Sequence, residues 1–173
     1  MNDIKTTITI RRAVLKNAAA VTLLLYEAFA EYRSLYTEKG FEATTPAQQE
    51  IEDRINKKAV WLVLSDNTIS GTVSLFPRQD ELFVRSMAVS PVARGKGIGK
   101  ILMEHVHGMA FSNGCSVITL NTTAFLLPAI RLYESFGFKQ QGPGDLYGTA
   151  LIKMTKHLKP SAKNKIENND YAK

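Results

Sequence analysis

The segment AVSPVARGKGIGKILMEHV, residues 88–106, changes character twice. An extended apolar stretch gives way to a turn holding Gly95, Gly97 and Gly99 among Arg94, Lys96 and Lys100. The turn then runs into Ile98, Ile101, Leu102, His105, Val106 and Met109, whose three-and-four spacing predicts a helix that buries one face. The first turn of a helix offers N–H groups with no intrahelical partner, at the positive end of the helix dipole. Glycines let a ligand approach that backbone without a Cβ in the way. With cations added, a strand-to-helix junction of this kind is built to hold an anion, most simply a phosphate. The helix ends at Asn113-Gly114 and CSVITLN follows as a strand. A strand–helix–strand unit over about 81–121 is the result, and it calls for a right-handed parallel crossover.

Two common phosphate loops do not fit. The Walker pattern needs Gly five residues before Gly99, where Arg94 stands, and Ser or Thr after Lys100, where Ile101 stands. The dinucleotide fingerprint needs Gly-x-Gly-x-x-Gly, whereas these glycines fall at every second position. The pattern present is Arg-x-x-Gly-x-Gly, at Arg94, Gly97 and Gly99.

The flanking sequence supplies the rest of a sheet. TTITIRRA alternates with period two and reads as a first strand. Asn17 is placed to cap a helix running to about Arg33, and Pro46 to begin a second, polar helix, with RSLYTEKGFEATT as the loop between them. AVWLVLS and TISGTVSLF flank Asp66-Asn67, which tolerate the positive φ of a tight hairpin, and PRQD turns the chain into ELFVRSMAVS. PAIRLYESF reads as a short helix, and the segments around FKQQ and YGTALIKMT as a last strand pair. The predicted order is βααβββαβαββ. That is an α+β fold with a mixed, mostly antiparallel sheet and helices on both faces.

Composition narrows the function classes. A chain of 173 residues with 45% hydrophobic content can bury one real core. The longest uncharged apolar run, AAAVTLLLY, is far shorter than the roughly 20 residues of a membrane span, so no membrane partner is expected. The opening MNDIKTTITIRR has no apolar core of an export signal, and the single Cys115 excludes an internal disulfide. A cytoplasmic protein is expected. Of the formal net charge of +6, the lysine-bearing stretch from Lys159 onward holds +2, leaving +4 on the body. Residues 159–173 are expected to form a disordered basic tail and residues 6–158 the folded domain. His105 and His107 are two apart on a helix and His157 lies far along the chain, so no metal site is expected.

RSMAVSPVARGKGIGKILMEHV and LNTTAFLLPAIRLYESFGF together resemble the GNAT superfamily of acyl-CoA-dependent N-acyltransferases, as does the whole element order over about 6–157. The resemblance implies acetyl-CoA as cosubstrate, its pyrophosphate held by the backbone of Arg94, Gly95, Lys96, Gly97, Ile98, Gly99 and Lys100. It implies that the pantetheine arm adds to the strand at Met87, Ala88 and Val89, and that Asn121 touches cofactor or acceptor. It assigns Tyr133, in RLYESFGF, as general acid to the leaving thiolate. One position departs: many relatives carry Asn three residues before the Ala-Ile pair of the second motif, where this chain has Leu126 ahead of Ala129-Ile130.

The reaction so implied is direct attack of a primary amine on the acetyl thioester. No Gly-x-Ser-x-Gly elbow is present, and Cys115, at the start of a strand, reads as a buried structural thiol. An alkylamine is neutral in only about one molecule in two thousand at pH 7, so a proton must leave. Glu27, Glu31 and Glu81 are carboxylates that could take it, though each also reads as a solvated surface group. The acceptor is a small-molecule or peptide amine, approached past Tyr32, Tyr36, Phe41 and the apolar residues 125–127. A homodimer is compatible with the family. Two rival readings stand: an acyl-CoA sensor without turnover, and a basic nucleic-acid-binding domain. The latter is disfavoured because no aromatics interleave the glycine loop.

Overall fold

A computed structural model of the chain describes residues 6–159. Apart from Lys159, the expected basic tail lies outside the described residues. Seven strands form one sheet: β1 (Ile8–Arg12), β2 (Val60–Ser65), β3 (Thr68–Arg78), β4 (Glu81–Val89), β5 (Val117–Thr122), β6 (Lys139–Leu146) and β7 (Thr149–His157). Their order is β1-β2-β3-β4-β5-β7-β6. Every neighbouring pair is antiparallel except β4 with β5, so the mixed, mostly antiparallel α+β sheet is as expected. Asp66 and Asn67 both have positive φ (48° and 65°), the conformation a two-residue hairpin between β2 and β3 requires.

Five helices accompany the sheet: α1 (Ala18–Ala30), α2 (Glu38–Thr44), α3 (Gln48–Asn56), α4 (Ile98–Ser112) and α5 (Leu127–Ser135). The sequence predicts four. The extra one, α2, lies in the stretch read as a loop, where Gly40 weakens intrinsic helix propensity. Tertiary contact overrides that weakness. Thr37 caps α2, its Oγ1 accepting from the Gly40 N–H at 3.0 Å, and the same hydroxyl donates to the Tyr147 carbonyl at 2.8 Å. The Thr37 N–H donates to Thr149 Oγ1 at 2.9 Å, which fastens α2 to the β6–β7 turn. Two caps also differ from expectation. Asn17 Oδ1 accepts from the Val14 N–H (3.0 Å) and from Arg11 (3.1 Å), closing a turn ahead of α1 instead of capping it. Pro46 precedes Ala47, the N-cap of α3, and so stands outside that helix.

The two faces of the sheet carry separate cores. Leu24, Leu25 and Val21 of α1 and Ile51 of α3 pack on Val60, Leu62 and Leu64. Leu102, Met103 and Val106 of α4 pack on Val63, Val73, Leu82 and Ile118, with Tyr133 of α5 joining them. The sheet thus clamps β4 between two apolar layers, and β4 is where its regularity breaks. Thr72 pairs with Ala88 but Ser74 pairs with Arg85, so β4 spends an extra residue, and Ser86 takes a positive φ of 52°. That is a β-bulge.

Candidate active site

Parallel pairing of β4 with β5 runs only from Glu81↔Val117 to Val84↔Leu120. Beyond that, β5 continues beside β7 to Thr122↔Ile152, while β4 continues beside β3 to Gly71↔Val89. The two strands therefore part, and the edge of β4 from Arg85 to Val89 has no strand on its β5 side. The gap is a cleft of about 560 Å³. Met87, Ala88 and Val89 form one wall, the 95–100 turn its mouth, and Asn121 and Tyr133 the opposite wall. Tyr36, Thr44 and Leu146 close the far end.

At the mouth, the backbone N–H groups of Gly95, Lys96, Gly97, Ile98, Gly99 and Lys100 find no acceptor among the described residues. The chain reaches this arrangement through Gly95 and Gly97, at φ +74° and +78°, where an L side chain is strained whatever the space. Gly99 serves differently: a Cβ there would lie 3.0 Å from Leu132 Cδ2, so its absence lets α4 seat against α5. The cations divide. Lys100 lines the cleft, while Lys96 is exposed and stands off it. The Arg94 side chain turns away from the amides, donating to the Ala28 carbonyl at 2.9 Å and pairing with Glu31. Its guanidinium thus ties the turn to the C-terminal end of α1.

Tyr133 is 7% exposed, and burial, with a small addition from Tyr36, pushes its hydroxyl up to about 12. It therefore keeps its proton across the working pH range. Cys115 is buried in the α4-side core, away from the cleft wall, and burial together with Asp80 and Glu81 pushes its thiol up. The three carboxylates considered as bases are also placed elsewhere. Glu31 pairs with Arg94, Glu81 accepts from Thr119 Oγ1, and none of Glu27, Glu31 and Glu81 lines the cleft.

The far end holds residues that the sequence pattern does not single out. Arg54 of α3 is 4% exposed, donates to Ser86 Oγ at 2.8 Å and pairs with Glu50, so it pins the bulge of β4. Burial lowers its pKa, an effect that Glu50 offsets in part. Glu50 also lies 3.7 Å from Arg85. Thr122 and Thr123 line the cleft with buried hydroxyls that lack a partner of hydrogen-bond geometry. Tyr36 stands beside Thr123, and burial raises its hydroxyl above the ordinary range while the neighbouring Thr123 and Thr44 pull it down. Of the aromatics expected here, Tyr32 and Tyr36 line the cleft. Phe125 stacks on Tyr32 at 6.1 Å, and Phe41 sits beneath Tyr36 as a packing residue. Leu126 lines the cleft at the N-cap of α5. The one sequence sign of the bulge was a strand, ELFVRSMAVS, longer than its parallel partner.

Among the described residues, no group of three or more His, Cys, Asp or Glu side chains could hold a metal ion, and no helix is long and apolar enough to cross a membrane.

The chain is similar to known proteins in fold and in sequence. The fold matches the crystal structure of PaiA N-acetyltransferase from Thermoplasma acidophilum in complex with coenzyme A, with a TM-score of 0.76 at 18% identity over 88% of this chain and 99% of that one. By sequence, the chain is 37% identical over 89 residues to N-acetylaspartate synthetase of Danio rerio, which covers 50% of this chain and 32% of that protein. It thus spans about a third of the synthetase's length. The uncharacterized N-acetyltransferase YjgM of Escherichia coli strain K12 is 30% identical over 135 residues, covering 75% of this chain and 80% of YjgM. The profile described as the Acetyltransferase (GNAT) family matches residues 24–138, from α1 through the cleft to the end of the α5 segment. With two thirds of the chain inside that match and the splayed β4–β5 cleft at its centre, this protein belongs to the GNAT family of acetyltransferases.

Proposed function

We propose that the protein is an N-acetyltransferase that uses acetyl-CoA as donor and a primary amine as acceptor, with direct transfer in a ternary complex. The observation that carries this reading is the run of six unpartnered N–H groups at the mouth of a cleft floored by a free strand edge. The residues present fit the donor. A diphosphate satisfies amides that the protein leaves open at the start of a 15-residue helix, and Lys100 adds charge. An amide-bearing chain can pair with the bare edge at Met87, Ala88 and Val89 as an added strand does. When bound, acetyl-CoA supplies a thioester-activated acetyl group.

The chain's own groups then have defined tasks. A backbone N–H on the free edge of β4 polarises the acyl carbonyl and holds the charge that develops on its oxygen. Cys115 faces the core, so the acceptor nitrogen itself takes the acyl group as the bond to sulfur breaks. Among the described residues neither a carboxylate nor an imidazole lines the cleft, so water takes up the amine proton. Tyr133 offers a hydrogen bond to the leaving sulfur. With a thiol near 8.5 and Tyr133 near 12, the proton is shared toward sulfur and not fully handed over, so the effect falls at the low end of general-acid contributions. The buried single thiol suits a reducing, cytoplasmic setting. The name of the synthetase relative, which specifies an N-acetylated product, supports nitrogen as the acceptor atom.

Calorimetry with coenzyme A and a thiol-release assay over a panel of amines test this reading. The expected result is coenzyme binding, amine-dependent thiol release, and full activity in Cys115→Ser. An acetylated Cys115 or ping-pong kinetics overturns direct transfer, and absence of coenzyme binding overturns the reading as a whole.

A further inference from the structure

Among the described residues, the charged ones lining the cleft are Arg85, Arg94 and Lys100, and no acidic residue lines it. Lys100 belongs to the mouth, where a diphosphate accounts for it, and the Arg94 guanidinium is spent on Glu31 and the Ala28 carbonyl. Arg85 has neither assignment. It projects from the start of the free edge of β4, beside the bulge. Its counter-charge is shared, because Glu50 pairs with the buried Arg54 and stands 3.7 Å from Arg85. Two guanidiniums around one carboxylate leave one positive charge uncompensated in the wall. Arg54 is already spent on Glu50 and on Ser86 Oγ, so the fork open to a ligand is that of Arg85, whose side chain is 42% exposed. The second observation lies across the cleft. Thr122 buries a hydroxyl without a partner, and the buried hydroxyl of Thr123, beside Tyr36, has no partner of full hydrogen-bond geometry. A buried hydroxyl left unpaired is unfavourable, and a polar ligand would relieve it.

We propose that the acceptor is a small amine carrying a carboxylate, an amino acid, whose carboxylate is read by Arg85. This rests on the acetyl-transfer reading above. Arg85 matches a carboxylate bidentately and draws it from water more readily than a lysine would. The carboxylate relieves the excess charge that Glu50 compensates only in part. The amino group is left on the side of the unpartnered hydroxyls and the free edge of β4. A polyamine or a lysine-rich peptide meets the opposite situation: its additional cations would approach Arg85, whose one carboxylate partner is shared with Arg54, and among the described residues no acidic residue lines the cleft to receive them.

The test compares, with acetyl-CoA and the wild-type protein, free L-amino acids against their carboxamides and their decarboxylated amines. The best free amino acid should exceed its carboxamide by about 10–100-fold in kcat/KM, the discrimination a charge-assisted pair supplies. Arg85→Ala should erase that preference mainly through KM, and Arg85→Lys should keep a fraction of it. Calorimetric binding of the amino acid to the protein loaded with coenzyme A should weaken by a similar factor in Arg85→Ala, while coenzyme affinity itself stays within twofold. Carboxamides or polyamines accepted equally well, preference retained in Arg85→Ala, or turnover confined to peptides overturns the inference and leaves the acetyl-transfer reading standing. Coenzyme that fails to bind overturns both. The wild-type comparison decides the matter even where a variant is unstable.

Discussion

The two ends of the cleft are built by different means. The mouth is a continuous stretch, residues 95–100, and what it presents is backbone: amides freed by a helix start and aimed by Gly95 and Gly97 at positive φ, whereas the Arg94 N–H, expected to join them, donates to the Pro91 carbonyl. The far end comes from α1, α2, β4, β5 and the β6–β7 hairpin, with α3 backing β4 through Arg54 and Glu50, and what it presents is side chains: Tyr36, Arg85, Thr122 and Thr123. A site made of backbone tolerates almost any side chains but depends on a few glycines. A site made of side chains can be retuned residue by residue, but only while its supports hold. A donor common to many reactions suits the first construction, and a particular acceptor suits the second. Arg94 joins the two, because its guanidinium fixes the turn to the end of α1.

The sharpest way to break the comparison is Gly97→Val. At φ +78° a β-branched residue costs about 1–2 kcal/mol in the backbone alone, and any relaxation re-aims the N–H groups on either side. Coenzyme affinity by calorimetry should fall about 100-fold. The far end should keep its structure, visible as an unchanged near-ultraviolet spectrum of its tyrosines. Wild-type affinity would mean that the amides are not the phosphate site.

Gly40→Val tests the opposite end with a smaller effect. A Cβ at Gly40 would sit 2.2 Å from Thr149 Oγ1 and 2.8 Å from Thr37 Oγ1, the atoms that fasten α2 to the hairpin. Overpacking there should remove about 2 kcal/mol of stability in denaturant unfolding. It should raise the acceptor KM and leave the coenzyme Kd within twofold. Loss of coenzyme binding in this variant would show the two ends to be one unit. Tyr133→Phe lies between the ends and should touch neither affinity. We expect kcat to fall about 10-fold, since a hydroxyl near 12 stabilises the departing sulfur without fully protonating it. An unchanged kcat, with chemistry rate-limiting, removes Tyr133 from the reaction.

The same division explains what could be read from the sequence. The mouth was legible because a local pattern dictates it: glycines, cations and a helix start fall within a few residues of one another. The strand order along the chain and the mixed character of the sheet follow from the crossover and the hairpins, down to Asp66-Asn67 in the β2–β3 turn. Apart from Tyr32 and Tyr36, the far end is not legible, because its determinants are contacts between distant residues. Helix α2 is held by Thr37 against Thr149, 112 residues away, and no propensity reports that. The bulge at Ser86 has no glycine to announce it. It rests on Arg54, which reads from the sequence as one more charge on a polar helix and proves to be buried. The turned-away guanidinium of Arg94 is illegible for the same reason, since its partners at Ala28 and Glu31 are remote in sequence.

The smallest expected effect concerns the helix beneath the mouth. His105 packs on Trp61 at 4.2 Å and His107 on Phe136 at 5.3 Å, and the Nε2 atoms of both are buried without a partner. Burial lowers both imidazoles, with Arg12 adding to the effect at His105 and Lys156 at His107. A depressed folded-state pKa means that the unfolded chain binds more protons, so stability is complete above about 6.5 and declines as pH falls through the lower folded values. Both rings are only half-buried and solvent screens them, so the loss should stay under about 1 kcal/mol. Denaturant unfolding between pH 7.5 and 5 should show the decline in the wild type. His105→Gln/His107→Gln, starting from a lower stability at neutral pH, should flatten it. Because α4 carries the amides of the mouth and not the side chains of the far end, acid should weaken coenzyme binding before it changes acceptor preference. A wild-type protein whose stability is flat over that range would show that these histidines are hydrated in solution, and α4 would then be anchored by its aliphatic face alone.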